Sequence, residues 1–170
     1  MSDDGGSRES ATLLEFDELY RLRARDVYRF AVYLSGDPAL AEDLTSEAFV
    51  RAWNSDEPVR AETVKAYLFT IVRHLYIREQ LRRSRHQPLA TTMMDTATDI
   101  ERALDRKKRL RSLTDALRRL PEIDCSVLLM RADEEMSYQQ IADSLGLSLT
   151  AVKVRIHRAR VKLAQLWRVA

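Results

Sequence analysis

Thr150, Lys153, Val154, His157 and Arg158 recur at steps that keep them on one side of a helix. Val152, Ile156, Ala159 and Leu163, at steps of four, three and four, make the opposite, apolar side. Residues 150–168 add Arg155, Arg160, Lys162 and Arg168 and contain no acidic residue, a net of +6. Cations and hydrogen-bond donors without carboxylates suit an array of acceptors, namely phosphates and base edges. That is binding chemistry. The face reads as Thr150, Lys153, Val154, His157 and Arg158 toward bases, with Arg155, Arg160 and Lys162 mostly toward phosphates or the surface and, for Arg155, a tuck against its own domain as the alternative.

A second one-signed cluster lies far upstream. Residues 64–86 hold Lys65, Arg73, Arg78, Arg82, Arg83 and Arg85 against Glu79 alone, a net of +5. The whole chain carries only +2, so the remaining residues sum to −9. A solvated helix face usually mixes signs, and two segregated basic clusters point to a polyanion such as nucleic acid.

Catalysis finds little support. No glycine-rich phosphate loop and no HExxH occur, and His74, His86 and His157 lie far apart among arginines. Asp43 with Glu47 is an i, i+4 carboxylate pair, which without a histidine reads as a solvated face. No metal site and no cofactor are expected. Cys125 is the lone cysteine and sits in the apolar run CSVLLM, so it reads as a core residue.

The elements that position these faces are helices. Beyond Gly5 and Gly6, the only glycines are Gly36 and Gly146, and the prolines are Pro38, Pro58, Pro88 and Pro121. Between these breaks run stretches of helix formers with no period-two strand pattern, so the fold class is all-α. Helices are predicted over about residues 14–34, 39–53, 63–85, 99–120, 122–132, 138–145 and 149–166. Phe16, Leu19, Tyr20, Phe30 and Ala31 give the first an inner face. Leu40, Leu44, Ala48 and Ala52 stripe the second, and Leu68, Ile71, Val72 and Leu75 the third. Residues 86–98 lose all periodicity.

The expected organisation is a disordered leader over 1–12, a helical domain over 13–87, a flexible linker over 88–99 and a second domain over 100–168. Two helices within 138–166 form a helix-turn-helix. Ser137 and Gln140 supply a capping box, Gly146 the bend, and Ser148 the cap of the second helix. No apolar run approaches the ~18 residues of a membrane helix and the start lacks a signal-peptide pattern, so membrane insertion is not expected and the location is read as cytoplasmic.

The stretch SYQQIADSLGLSLTAVKVRIHRARVKL resembles the promoter-reading helix-turn-helix of bacterial sigma factors of the extracytoplasmic-function group. FDELYRLRARDVYRFAVYLSGDPALAEDLTSEAFVRAW is similar to that family's core-polymerase-binding segment, and AYLFTIVRHLYIREQLRR to its promoter-melting segment. The resemblance covers about residues 14–87 and 103–166. It implies two domains that bind core RNA polymerase and promoter DNA, with an anti-sigma factor as a further partner and no enzymatic activity.

By this resemblance Asp43, Ser46, Glu47, Val50 and Arg51 dock on the clamp helices of the largest polymerase subunit. Lys65, Tyr67, Arg73, His74, Arg78, Arg82 and Arg83 face the start-proximal promoter element, and Thr150, Lys153, Val154, His157 and Arg158 face the upstream one. The chain departs from the family's habits at Ser46 (commonly Gln), Tyr67 (Trp), His74 (Asn) and Arg78 (Asp), and at Ala151 and Val154 (Thr and Ser). The family's base preferences therefore do not transfer. The competing reading is a helix-turn-helix regulator with an N-terminal sensor or dimerisation domain, which leaves the second basic helix and the EDLTSEAFVRAW helix unexplained.

Overall fold

The computed structural model describes residues 5–55, 63–86, 102–132 and 136–168, and for these it is entirely helical. The elements are α1 (Gly5–Ser35), α2 (Pro38–Trp53), α3 (Val64–His86), α4 (Arg102–Arg118), α5 (Glu122–Ala132), α6 (Tyr138–Leu145) and α7 (Leu149–Arg168). The expected linker over 88–99 lies outside the described residues.

Glycine and proline place the boundaries as anticipated. Gly36 adopts a left-handed φ of +69° and its N–H donates to the Val32 carbonyl at 2.7 Å, ending α1. One residue later the Asp37 carboxylate caps α2, accepting from the N–H groups of Ala39 and Leu40 at 3.1 and 3.2 Å, with Pro38 in the first helical turn. At the other end of α1 the reading changes. The helix starts at Gly5, well before the expected Leu14, and takes in most of the expected leader. Arg8, Glu9, Ala11 and Leu13 favour helix and no proline interrupts them.

In the first half, α1, α2 and α3 pack on one another. Val27, Phe30, Ala31 and Leu34 of α1 meet the buried stripe Leu40, Leu44, Ala48, Phe49 and Ala52 of α2, and Leu68, Phe69, Val72 and Leu75 of α3. The rings of Phe30 and Phe69 stack with centroids 4.3 Å apart. Tyr20, expected on the inner face, lies at its rim with its ring edge-on to Phe49. In the second half α7 lies across α4, α5 and α6, burying Val152, Ile156 and Ala159 against Val127, Met130, Ile141 and Ala142.

The halves also touch. α1 contacts α4 and α5, α3 contacts α5 and α6, and the buried apolar side chains of both halves join into one cluster.

Candidate nucleic-acid interface

The helix-turn-helix is built as its residues suggest. The Ser137 hydroxyl accepts from the Gln140 N–H at 3.1 Å, and the Gln140 side-chain oxygen accepts from the Ser137 N–H at 2.8 Å. Gly146 closes α6 with φ +63°, and the Ser148 hydroxyl accepts from the Ala151 N–H at 3.1 Å to start α7. Each cap satisfies N–H groups that a helix start leaves without intrahelical partners. Ser137→Ala is expected to cost about 1 kcal/mol of stability. Ser137→Thr should restore most of it in thermal unfolding, and equal melting of the alanine variant and the parent would contradict the cap's importance.

All five expected base-facing residues of α7 are exposed: Thr150, Lys153, Val154, His157 and Arg158. Arg155 is different. Its Nη1 donates to Asp124 Oδ1 of α5 at 2.7 Å, so it braces α7 against its own domain instead of meeting phosphate. That carboxylate lies 31 residues away in sequence, beyond any local pattern.

The seven residues expected on the start-proximal face divide. Tyr67, His74, Arg78, Arg82 and Arg83 are exposed on α3. Lys65 is turned inward: only 8% of its side chain is exposed and its Nζ lies 2.8 Å from Asp26 Oδ2 of α1. Arg73 is also taken up, since its Nε and Nη2 donate to the two carboxylate oxygens of Glu122 in α5 at 2.7 and 2.8 Å. Lys65 and Arg73, expected toward the start-proximal element, are thus paired with carboxylates of other helices, while the other five stay exposed. A cation has the same local signature whether phosphate or a distant carboxylate awaits it.

Glu79 tempers the field of the outer face. Hydrogen bonds from Arg82 and Arg83, all near 2.8 Å, hold its carboxyl far below the ordinary range, at about 2. It stays ionised and offsets part of the positive charge there.

On α2, Asp43, Ser46, Glu47, Val50 and Arg51 are exposed together, and Glu47 pairs with Arg51 at 2.8 Å. With Leu75, Arg78 and Leu81 of α3, Asp43, Ser46, Glu47 and Val50 line an open groove of about 1010 Å³. Leu81, 56% exposed, was missed by sequence reasoning. Its signal is an apolar residue in the basic run EQLRRSRH, where a purely solvated face would not need one.

Among the described residues no group of three or more His, Cys, Asp or Glu could hold a metal ion. Cys125 is buried, which pushes its thiol up to about 12 and leaves it unreactive. Among the described residues no helix is long and apolar enough to cross a membrane.

Residues 19–86 match the family described as Sigma-70 region 2, and residues 110–163 match Sigma-70, region 4. The ECF RNA polymerase sigma factor SigL of Mycobacterium tuberculosis is 32% identical over 164 residues, covering 91% of this chain and 89% of that protein. The RNA polymerase sigma factor YlaC of Bacillus subtilis is 29% identical over 153 residues, covering 86% of this chain and 88% of the relative. The fold is similar to that of the sigma factor RpoE from Bartonella quintana, solved with the anti-sigma factor NepR, with a TM-score of 0.71, 23% identity, and coverage of 91% and 98% of the two chains. A region 2 match followed by a region 4 match, carried by sigma-factor relatives that align along nearly their whole length, means that the chain belongs to the extracytoplasmic-function group of bacterial RNA polymerase sigma factors.

Proposed function

We propose that this sigma factor grips core RNA polymerase with the exposed face Asp43, Ser46, Glu47, Val50 and Arg51 of α2. It then reads the start-proximal promoter element with Tyr67, His74, Arg78, Arg82 and Arg83, and the upstream element with Thr150, Lys153, Val154, His157 and Arg158. Region 2, within residues 13–87, performs the first two tasks and region 4, within 100–168, the third. The observation that carries this reading is the acid-free outer face of α7, whose five expected readers are all exposed on a capped helix-turn-helix. RNA synthesis belongs to the polymerase, and the sigma factor directs where it begins and helps to open the DNA. A regulator with an N-terminal sensor domain would leave the region 2 match without a role.

The work is cytoplasmic, where polymerase and promoters are. An anti-sigma factor is a further proposed partner, because the relative of similar fold from Bartonella quintana was solved with one.

Asp43→Lys combined with Glu47→Lys tests the polymerase grip. Both carboxylates are solvent-exposed, so the helix should persist, losing only the ~0.5 kcal/mol of one i, i+4 pair. Affinity for core polymerase should fall roughly tenfold or more, equivalent to about 1.4 kcal/mol. Circular dichroism checks the fold and a pull-down with run-off transcription checks the function. Full binding by the reversed-charge protein would rule out this face.

A further inference from the structure

We propose that Glu122 is an internal stand-in for a DNA phosphate that latches the two halves together by occupying Arg73. The inference rests on the reading above that α3 meets promoter DNA. The bidentate pair joins α3 of region 2 to α5 of region 4, 49 residues apart, with side chains 16% and 27% exposed. The carboxylate is itself held: the Ser126 hydroxyl, fully buried one turn along α5, donates to Glu122 Oε1 at 2.7 Å. The acceptor is therefore held from within α5 as well as by Arg73.

The same seam includes neighbouring turns of α3. The Thr70 hydroxyl, which donates to the Ala66 carbonyl of its own helix at 2.8 Å, lies 3.4 Å from the Ser144 carbonyl of α6. Tyr76 is half-buried with its phenol pushed up by that burial. Thr70, Arg73 and Tyr76 fall three apart, so one edge of α3 closes against region 4. His74, Arg78 and Arg82, four apart, form the neighbouring edge, and that edge stays exposed. Closure thus takes up Arg73 and leaves the neighbouring proposed readers His74, Arg78 and Arg82 exposed.

The chemistry of the pair makes it exchangeable. A guanidinium fork fits carboxylate and phosphate with the same two parallel hydrogen bonds, so DNA can take the place of Glu122 without leaving Arg73 unsatisfied. A partly buried ion pair adds little net stability over apolar packing, so it suits a contact that must open better than one that must hold. While closed, Glu122 also cancels the Arg73 charge, so α3 presents a weaker positive field to the DNA backbone. Opening restores that charge and frees the arginine in one motion.

The test uses the full chain, small-angle X-ray scattering for its size, and a fluorescein-labelled DNA fork of mixed sequence as the probe. Glu122→Gln should enlarge the chain and raise its affinity for the fork. If about one molecule in ten is open at rest and the variant is fully open, the gain is roughly tenfold. Ser126→Ala, which removes the brace and keeps the charge, should move both readings the same way by less, and serves if Glu122→Gln fails to fold. Arg73→Ala should enlarge the chain without the gain, because the residue that would meet phosphate is gone. An unchanged size in the Glu122 and Ser126 variants overturns the latch, as does enlargement without tighter DNA binding. A gain in Arg73→Ala equal to that of Glu122→Gln overturns Arg73 as the shared residue. Run-off transcription with core polymerase and the unaltered chain reads separately: its failure would overturn the proposed function, whereas the latch fails only in the variants.

Discussion

Replacing Asp26 by alanine should lower the free energy of unfolding by about 3 kcal/mol, a drop of roughly 6–12 °C in melting temperature for a chain this size. The Asp26 carboxylate receives the Lys65 ammonium at 2.8 Å, and Lys65 is among the few charged groups the core encloses. Removing the carboxylate leaves that charge desolvated without its counter-ion from α1, which costs more than the pair itself contributes. Acid should expose the same dependence. Burial alone pushes the Asp26 carboxyl up, but the Lys65 hydrogen bond, with the charges of Lys65, Arg29 and Arg23, outweighs it and holds the group below its ordinary value of 3.8. A carboxyl depressed in the folded chain contributes stability that is present above the unfolded value and lost as pH falls through the folded one. The parent protein should therefore weaken below about pH 4, and Asp26→Ala should lose less over that interval because it has already lost the pair. Denaturant unfolding at neutral and acidic pH measures both. Parallel pH curves for parent and variant would show that the pair does not govern acid stability.

The second large effect concerns promoter reading. In Lys153→Ala or Arg158→Ala, discrimination at the contacted base pair should fall by about 1–3 kcal/mol, with preference relaxed at that position alone. In Arg160→Ala or Lys162→Ala all sequences should weaken together and the salt dependence should flatten by about one unit of log–log slope. Arg155→Ala should do neither: its guanidinium is committed to Asp124, so its loss should appear in unfolding and not in base preference. The measurement is affinity of the holoenzyme for matched and mismatched upstream elements at several salt concentrations. If Lys153→Ala and Arg158→Ala leave both affinity and preference intact, α7 does not read the promoter.

These contrasts mark where sequence reasoning succeeds. Helix ends were legible because Gly36, Pro38, Pro121 and Gly146 act locally, through positive φ or a missing N–H. The α7 face was legible because its apolar stripe repeats at helical spacing and leaves its complement outside. Lys65 and Arg73 were not, because the carboxylates that claim them lie on other helices, 39 and 49 residues away along the chain. Local charge counting treats such cations as available, and only packing reveals otherwise. The contact between halves was hidden for the same reason, since apolar stripes declare that a face is buried but not against which partner.

The brevity of α6 has a consequence for engineering. At eight residues it is far shorter than the ~12–15 at which an isolated helix becomes even marginal in water. Its form is therefore borrowed from its caps and from the floor that α5 and α7 provide for Ile141 and Ala142. Transplanting residues 138–166 alone into another protein should deliver a frayed first helix and a reader with no fixed angle of approach. A chimaera meant to redirect promoter choice needs its splice point ahead of α4, so that the reader travels with the foundation on which it is moulded.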